Sequence, residues 1–403
     1  MAYRCRAYPD GAQQQMLART FGCVRVVWNR TLAARHARYQ AEGKGVSYAE
    51  SDRALTVMKK DPDLAFLNEV SSVPLQQALR HQHVAFSAFF AGRARYPRFK
   101  SRYARQSATY TRSAFRMKGG ALWLAKTTAP VAFVWTWPAV DVGGLDPTSV
   151  TVTKDPAGRW FVTFHMDVPD PVPQPAGGQR AGVDVGLKDF AVLSTGEKIP
   201  HPKDWERHEK RLKRYQRMLA RCRIGSANRR KAKRKVARTH ARITDARRDF
   251  LHKASTDLVR RFDVIAVEDL NVAGMARNRS LARAISCTGW AEFRAMLEYK
   301  AERHGRTVVT VDRWYPSSKT CSACGYLLAA LSLGTRTWTC PSCGTRHDRD
   351  HNAAKNILAA GLAAGAGNGA DACGGGVRRA GATRARSPVK QEPRPVTAGI
   401  PVL

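Results

Sequence analysis

Ala181-Gly182-Val183-Asp184-Val185-Gly186 is a short apolar run interrupted by a single acid. A run of this length and character predicts a buried strand. A carboxylate in such a strand is costly unless it meets a cation or hydrogen-bond donors. Phe190-Ala191-Val192-Leu193 predicts a second strand, and Val264-Ile265-Ala266-Val267 a third that ends in Glu268-Asp269. An amphipathic helix with Trp290, Phe293, Leu297 and Lys300 at turn spacing then leads to the strand Thr307-Val308-Val309-Thr310-Val311. Strand, helix and strand in that order predict an α/β layer.

If the strands carrying Asp184 and Glu268 pair, their carboxylates stand side by side. Asp350 opens a predicted helix, Asp350-His351-Asn352-Ala353-Ala354-Lys355-Asn356-Ile357. Three carboxylates converging on one sheet edge would hold two divalent hard cations, Mg²⁺ best, an arrangement suited to phosphodiester hydrolysis. Each acid also has an ordinary reading. Asp184 fits a turn beside Gly186, Glu268 a cap for the following loop, and Asp350 the N-cap of its own helix.

Between the last strand and that helix lie Cys321-Ser322-Ala323-Cys324 and Cys340-Pro341-Ser342-Cys343, separated by 15 residues and each followed by glycine, Gly325 and Gly344. Two such knuckles bring four thiolates to tetrahedral reach of one Zn²⁺. With all four positions filled by sulfur, the zinc is structural and any chemistry lies elsewhere. Nine cysteines, an odd number with four in CxxC pairs, argue for a metal in a reducing cytoplasm rather than a disulfide framework.

Toward the N-terminus the patterning changes twice. From about residue 10 to 95, apolar residues such as Leu75, Leu79, Phe86 and Phe90 recur at helical spacing. After Tyr96-Pro97-Arg98-Phe99-Lys100, short alternating runs take over: Leu122 and Leu124, Val131 and Phe133, Val150 and Val152, then Val162, Phe164 and Met166, with a turn at Asp155-Pro156-Ala157-Gly158. A small β unit is expected there. Pro169, Pro171, Pro173 and Pro175, followed by Gly177-Gly178, predict a linker with a boundary near 176. Beyond Leu362 the composition becomes Gly and Ala, then Arg, Ser and Pro, so a disordered tail is expected over 363–403.

The chain has 403 residues, enough for two to four compact units, and its hydrophobic share of 43% suffices for real cores. Lys and Arg number 68 against 32 acids, a formal charge of +36 with a pI of about 10.6. Such a charge calls for a polyanion, with nucleic acid the leading partner. Residues 206–248 alone carry 18 Lys or Arg and three acids, on a seven-residue apolar step (Leu212, Tyr215, Leu219, Cys222; then Val236, Ile243, Phe250) broken at Gly225-Ser226. This predicts a basic helical hairpin over 206–250 laid against phosphates. Arg98, Lys100, Arg214, Arg217, Arg221, Arg230, Lys233, Arg234 and Lys319 are the candidate nucleic-acid contacts. Trp28, Tyr96, Phe99 and Tyr110, interleaved with cations, either stack on unpaired bases or pack in the core. No apolar run approaches the roughly 18 residues of a membrane span, and no apolar core follows Met1-Ala2-Tyr3-Arg4-Cys5-Arg6, so neither a membrane nor secretion is expected.

Read together, Gly182-Val183-Asp184-Val185-Gly186, Val267-Glu268-Asp269-Leu270, Ser317-Ser318-Lys319-Thr320-Cys321-Ser322-Ala323-Cys324-Gly325, Cys340-Pro341-Ser342-Cys343-Gly344 and Asp348-Arg349-Asp350-His351-Asn352-Ala353-Ala354-Lys355-Asn356-Ile357 resemble, in order, the TnpB (OrfB) family of transposon-encoded RNA-guided nucleases, relatives of type V CRISPR effectors. Tyr3 to Pro9, Gly22 to Arg25, Trp28-Asn29 and Pro97 to Lys100 extend the resemblance toward the N-terminus. It implies an α/β RNase H-like (RuvC-like) nuclease domain over 178–312 and 346–362 with catalytic Asp184, Glu268 and Asp350, the last rather than Asp348. It further implies an inserted zinc ribbon over 313–345, a β-barrel wedge domain over 1–9 and 96–172, and a helical recognition domain over 10–95. The implied activity is Mg²⁺-dependent cleavage of double-stranded DNA that pairs with a guide RNA transcribed from the transposon end, next to a short adjacent motif, with a companion transposase as functional partner. Residue types alone also allow a DNA strand-transfer transposase using the same acids, or a non-catalytic RNA- or DNA-binding repressor.

Overall fold

The computed structural model describes residues 1–137, 140–167, 177–202, 204–332 and 334–366. The proline-rich stretch 169–175 and residues 367–403 of the expected tail lie outside the described residues. The chain opens with β1 (Ala2–Tyr8), after which the Asp10 carboxylate accepts from the Gln13 amide while the Gln13 side chain returns to the Asp10 N–H. This reciprocal cap starts α1 (Gly11–Glu42), which ends at Gly43 in the left-handed conformation. Ser47 and Glu50 repeat the device for α2 (Tyr48–Lys60), and α3 (Ser72–Phe90) completes the group. Val24, Val27, Leu55, Leu67, Leu75 and Leu79 form its core.

A β unit follows: β2 (Gln106–Thr111), β3 (Phe115–Lys118), β4 (Ala121–Leu124), β5 (Ala132–Val134), β6 (Ser149–Lys154) and β7 (Trp160–His165). With β1 they form an antiparallel sheet in the order β2-β6-β7-β1-β5. The β3–β4 hairpin joins it through a Leu122–Val131 bridge, and Leu122 and Leu124 share its core. In hydrogen bonds, the strands expected to form a barrel are this sheet with a hairpin beside it.

The second sheet contains β8 (Arg180–Val185), β9 (Asp189–Leu193), β10 (Lys198–Pro200), β11 (Val264–Glu268) and β12 (Thr307–Val311) in the order β10-β9-β8-β11-β12. The first three form an antiparallel meander, whereas β11 and β12 run parallel to β8. Between β10 and β11 stand α4 (Asp204–Arg221) and α5 (Ala227–Arg261), turning at Gly225 with Ser226 as the cap of α5. α5 runs past Phe250 because Leu251, Leu258 and Val259 insert into the core under the sheet. After β11 come α6 (Val272–Met275), α7 (Ala282–Thr288) and α8 (Trp290–His304), whose Trp290, Phe293 and Leu297 cover the same face. Lys300, in that apolar stripe, is buried and its ammonium donates to His252 O and to the Ser255 and Thr256 hydroxyls of α5. This explains how a lysine sits at a core position.

Beyond β12, the hairpin β13 (Thr337–Thr339) and β14 (Arg346–Asp348) leads directly into α9 (Arg349–Ala366). α9 lies on the other face of the second sheet, with Ile357 packed on Ala266 and Val311. It continues four residues past Leu362, where a disordered tail was expected, because the segment is almost all alanine and glycine with alanine the strongest helix former. Among the described residues, no helix is long and apolar enough to cross a membrane.

Candidate active site and zinc centre

β8 and β11 are in parallel register with Val183 opposite Val267. The next residues, Asp184 and Glu268, therefore stand side by side at the same strand ends, about 4.8 Å apart by the usual spacing of paired strands. On the other side Asp184 pairs with Val192 of β9. α9 crosses β8 close enough to bring Asp350, in its first turn, to the same end of the sheet. Asp184 keeps some solvent access at the strand end but is otherwise enclosed by protein. Burial first, then the charges of Glu268 and Asp350, push its carboxyl well above the usual carboxylate range, with Arg349 opposing them. Three oxygen donors from three elements, one of them raised by burial and then by its like-charged neighbours, are a donor set that a hard divalent cation would neutralise.

The structure also decides the ordinary readings. Asp184 is inside β8, not in a turn. The loop after β11 is capped by Asn271, whose side chain accepts from the Gly274 amide. The cap of α9 is Asp348, whose Oδ1 accepts from the amides of Asp350 and His351 at 3.0 and 3.1 Å. Its Oδ2 lies 2.9 Å from Lys198 Nζ, and against the pull of burial that ammonium holds the Asp348 carboxyl below its usual range. Asp350 is thereby freed from capping; its own carboxylate has Arg336 at 3.6 Å. Glu268 accepts a 2.6 Å hydrogen bond from the Ser317 hydroxyl. Sequence reasoning missed Ser317, Asn352 and Asn356. The signal was two amides at i and i+4 on a helix otherwise lined by Ala353, Ala354 and Ile357.

The four cysteines gather as their spacing predicts, with all ligand atoms within 4.8 Å of one another. The Cys321–Cys343 and Cys324–Cys340 sulfur pairs are each 3.7 Å apart. A tetrahedral ion with Zn–S bonds of about 2.3 Å requires sulfurs about 3.8 Å apart, so the cluster fits zinc. The Thr345 hydroxyl, 3.2 Å from Cys343 Sγ, and then the Thr345 N–H hold that thiol below its usual range. Buried His347 places Nε2 3.0 Å from Cys321 Sγ and packs its ring, tilted, against Trp338, centroids 4.6 Å apart. All eight described cysteines are free of disulfides.

The candidate nucleic-acid contacts divide. Arg214, Arg217 and Arg221 line a cleft of about 630 Å³ along α4. Arg230, Lys233 and Arg234 are exposed and line a cavity of about 900 Å³ with Arg25, Arg102, Lys154 and Tyr103, whose ring centroid is 4.1 Å from Lys233 Nζ. Arg98 is exposed, while its carbonyl accepts from Trp28 Nε1. Lys100 is half-buried, its ammonium 4.3 Å from the Trp28 ring centroid and its backbone held at both N and O by Asn29. Lys319 Nζ reaches Ala329 O at 3.3 Å. Of the four candidate stacking aromatics, Trp28 and Tyr110 are core residues, 7% and 2% exposed, whereas Tyr96 and Phe99 are open to solvent.

Comparison with known proteins gives three family matches. Residues 163–279 match a model described as "Probable transposase" (OrfB_IS605), residues 290–357 a Cas12f1-like TNB domain, and residues 1–44, which hold β1 and α1, a "Helix-turn-helix domain" of OrfB. A protein of Streptomyces pristinaespiralis named "Putative RNA-guided DNA endonuclease" is 52% identical over all of this chain and 98% of its own. "Putative RNA-guided DNA endonuclease InsQ" of Escherichia coli K12 is 30% identical over 97% of both chains. Among solved structures, a Cas12f1 protein in complex with guide RNA and target DNA aligns over 89% of this chain and 98% of its own, at 16% identity and a TM-score of 0.36.

Proposed function

Since the chain belongs to the TnpB (OrfB) family, we propose that it is an RNA-guided endonuclease that cuts double-stranded DNA at a RuvC-like site formed by Asp184, Glu268 and Asp350. The observation that carries this reading is the meeting of three acids at one end of the second sheet: the β8–β11 register sets Asp184 beside Glu268, and α9, packed on both strands, brings Asp350 in its first turn to the same end. Those three carboxylates would hold divalent Mg²⁺, which when bound supplies the Lewis acidity for phosphodiester hydrolysis. Ser317 fixes the Glu268 carboxylate by its hydroxyl, and Asp348 with Lys198 fixes the first turn of α9 and hence Asp350. The exposed cations of α4 and α5 bind phosphate backbones without reading sequence, leaving specificity to base pairing with the guide. The guide RNA originates from the transposon end, and the target lies next to a short adjacent motif.

The test is cleavage of a matched plasmid by protein co-expressed with RNA from its native locus. Asp184→Ala should abolish cutting and leave RNA binding nearly unchanged. Full cutting by that variant, or joined transposon ends formed without RNA, would overturn the reading.

A further inference from the structure

We infer that Asn352 and Asn356 latch the zinc ribbon to the helix bearing Asp350, so that zinc in the ribbon sets how tightly the acid cluster binds a divalent hard cation. The inference rests on the cation-site reading of Asp184, Glu268 and Asp350. Both amides are buried, at 2% and 5% exposure. Asn352 Oδ1 accepts from the Ser322 N–H at 2.9 Å, inside the first knuckle between Cys321 and Cys324, and its Nδ2 donates to Thr320 O at 2.7 Å. Asn356 Nδ2 donates to Thr320 O at 2.6 Å and to Ser317 O at 2.8 Å. The Ser317 hydroxyl in turn donates to Glu268. The first knuckle is thus connected, bond by bond, to α9 and to one of the acids.

The second knuckle reaches the cluster by a different route. Cys343 is followed by β14, where His347 contacts Cys321 and Asp348 caps the helix turn holding Asp350. Both routes begin at or beside the cysteines of the CxxC pairs. The ribbon has little else to hold its shape: its apolar cluster is Cys321, Trp338 and Cys340 with Leu328 and Leu331 packed on it, and Cys324 and Cys343 are exposed. A unit this small depends on its metal to stay folded. A carboxamide suits the latch because it offers two donors for carbonyls and an acceptor for an N–H without adding charge near three acids.

The test uses the full chain and Mn²⁺ as probe, with free Mn²⁺ read by electron paramagnetic resonance and zinc by elemental analysis. Zinc-replete wild type should show a Mn²⁺ site that Asp184→Ala removes. Stripping zinc should weaken that site by about tenfold or more, the range seen when outer-shell partners of a metal site are lost. Asn356→Ala should keep one zinc per chain, weaken Mn²⁺ similarly, and require more Mg²⁺ for half-maximal cleavage, with the rate recovered at excess Mg²⁺. Should Asn356→Ala fail to fold, Asn352→Ala removes the bonds to the Ser322 N–H and Thr320 O without adding charge and should act in the same direction. Unchanged Mn²⁺ affinity in stripped protein and in a folded latch variant would overturn the latch alone. Wild type with no Asp184-dependent Mn²⁺ site would overturn the cation-site reading, and the latch with it.

Discussion

Gly182 of β8 and Ala354 of α9 meet backbone to backbone: a Cβ at residue 182 would fall well inside contact distance of the Ala354 carbonyl oxygen and 2.7 Å from the Leu358 amide nitrogen. Further along, a Cβ on Gly361 would lie 2.6 Å from Ala266 Cβ. α9 therefore rests directly on the strands that carry Asp184 and Glu268. Gly182→Ala should lift the helix at a cost of about 1–3 kcal/mol, the usual scale of overpacking. Urea unfolding reads that loss, and cleavage should fall further than stability does because Asp350 moves with the helix.

Asp184 carries the cost of a buried carboxylate facing two others. Asp184→Asn removes that cost, so in EDTA the variant should melt at a higher temperature than wild type. Added Mg²⁺ should then raise the wild-type melting temperature and raise the variant's less. Equal melting temperatures with and without Mg²⁺ in both proteins would count against a cation between these acids.

Buried His347 lies with Nε2 3.0 Å from the sulfur of Cys321, one of the four candidate zinc ligands, and with its proton on Nε2 it donates to that sulfur. Replacing it with Phe keeps the ring against Trp338 and removes the donor. Zinc release to a chromogenic chelator should quicken, with affinity falling about 10- to 100-fold. An unchanged release rate would assign the contact to packing alone.

Lys300 gives a pH signature. Burial, then repulsion from Arg260, lowers its ammonium from 10.5 to about 8 in the folded chain. Between those values the unfolded chain binds more protons, so this group makes stability rise as pH increases through that window; below about 8 the penalty is fully present. Lys300→Met abolishes the increment. Urea midpoints at pH 7.5 and 9 should show the variant's stability relative to wild type declining as pH rises.

Arg230, Lys233 and Arg234 line one exposed basic cavity. Changing all three to alanine should weaken RNA binding across unrelated sequences and flatten its dependence on the logarithm of salt concentration by about 0.7–0.9 for each phosphate no longer neutralised. A loss confined to one RNA sequence would point instead to base readout.

The local chemistry was legible in the sequence. Val183 and Val185 flanking Asp184 marked a strand with an acid in it, the two CxxC pairs marked four thiolates for one ion, and the break at Gly225-Ser226 marked the turn between two basic helices. Each depends on a few neighbouring residues, through side-chain alternation, ligand spacing or backbone freedom. What lay between distant segments was decided by the tertiary structure. Trp28 and Tyr110 went to the core while Tyr96 and Phe99 stayed outside, although all four sit among similar cations. Asp348 took the capping role that had been open to Asp350, and Asn352 and Asn356 found carbonyls more than 30 residues back in the chain. Strand register and the approach of α9 to Gly182 set which carboxylates feel one another, and both are fixed by packing across the whole sheet rather than by any residue's own neighbours.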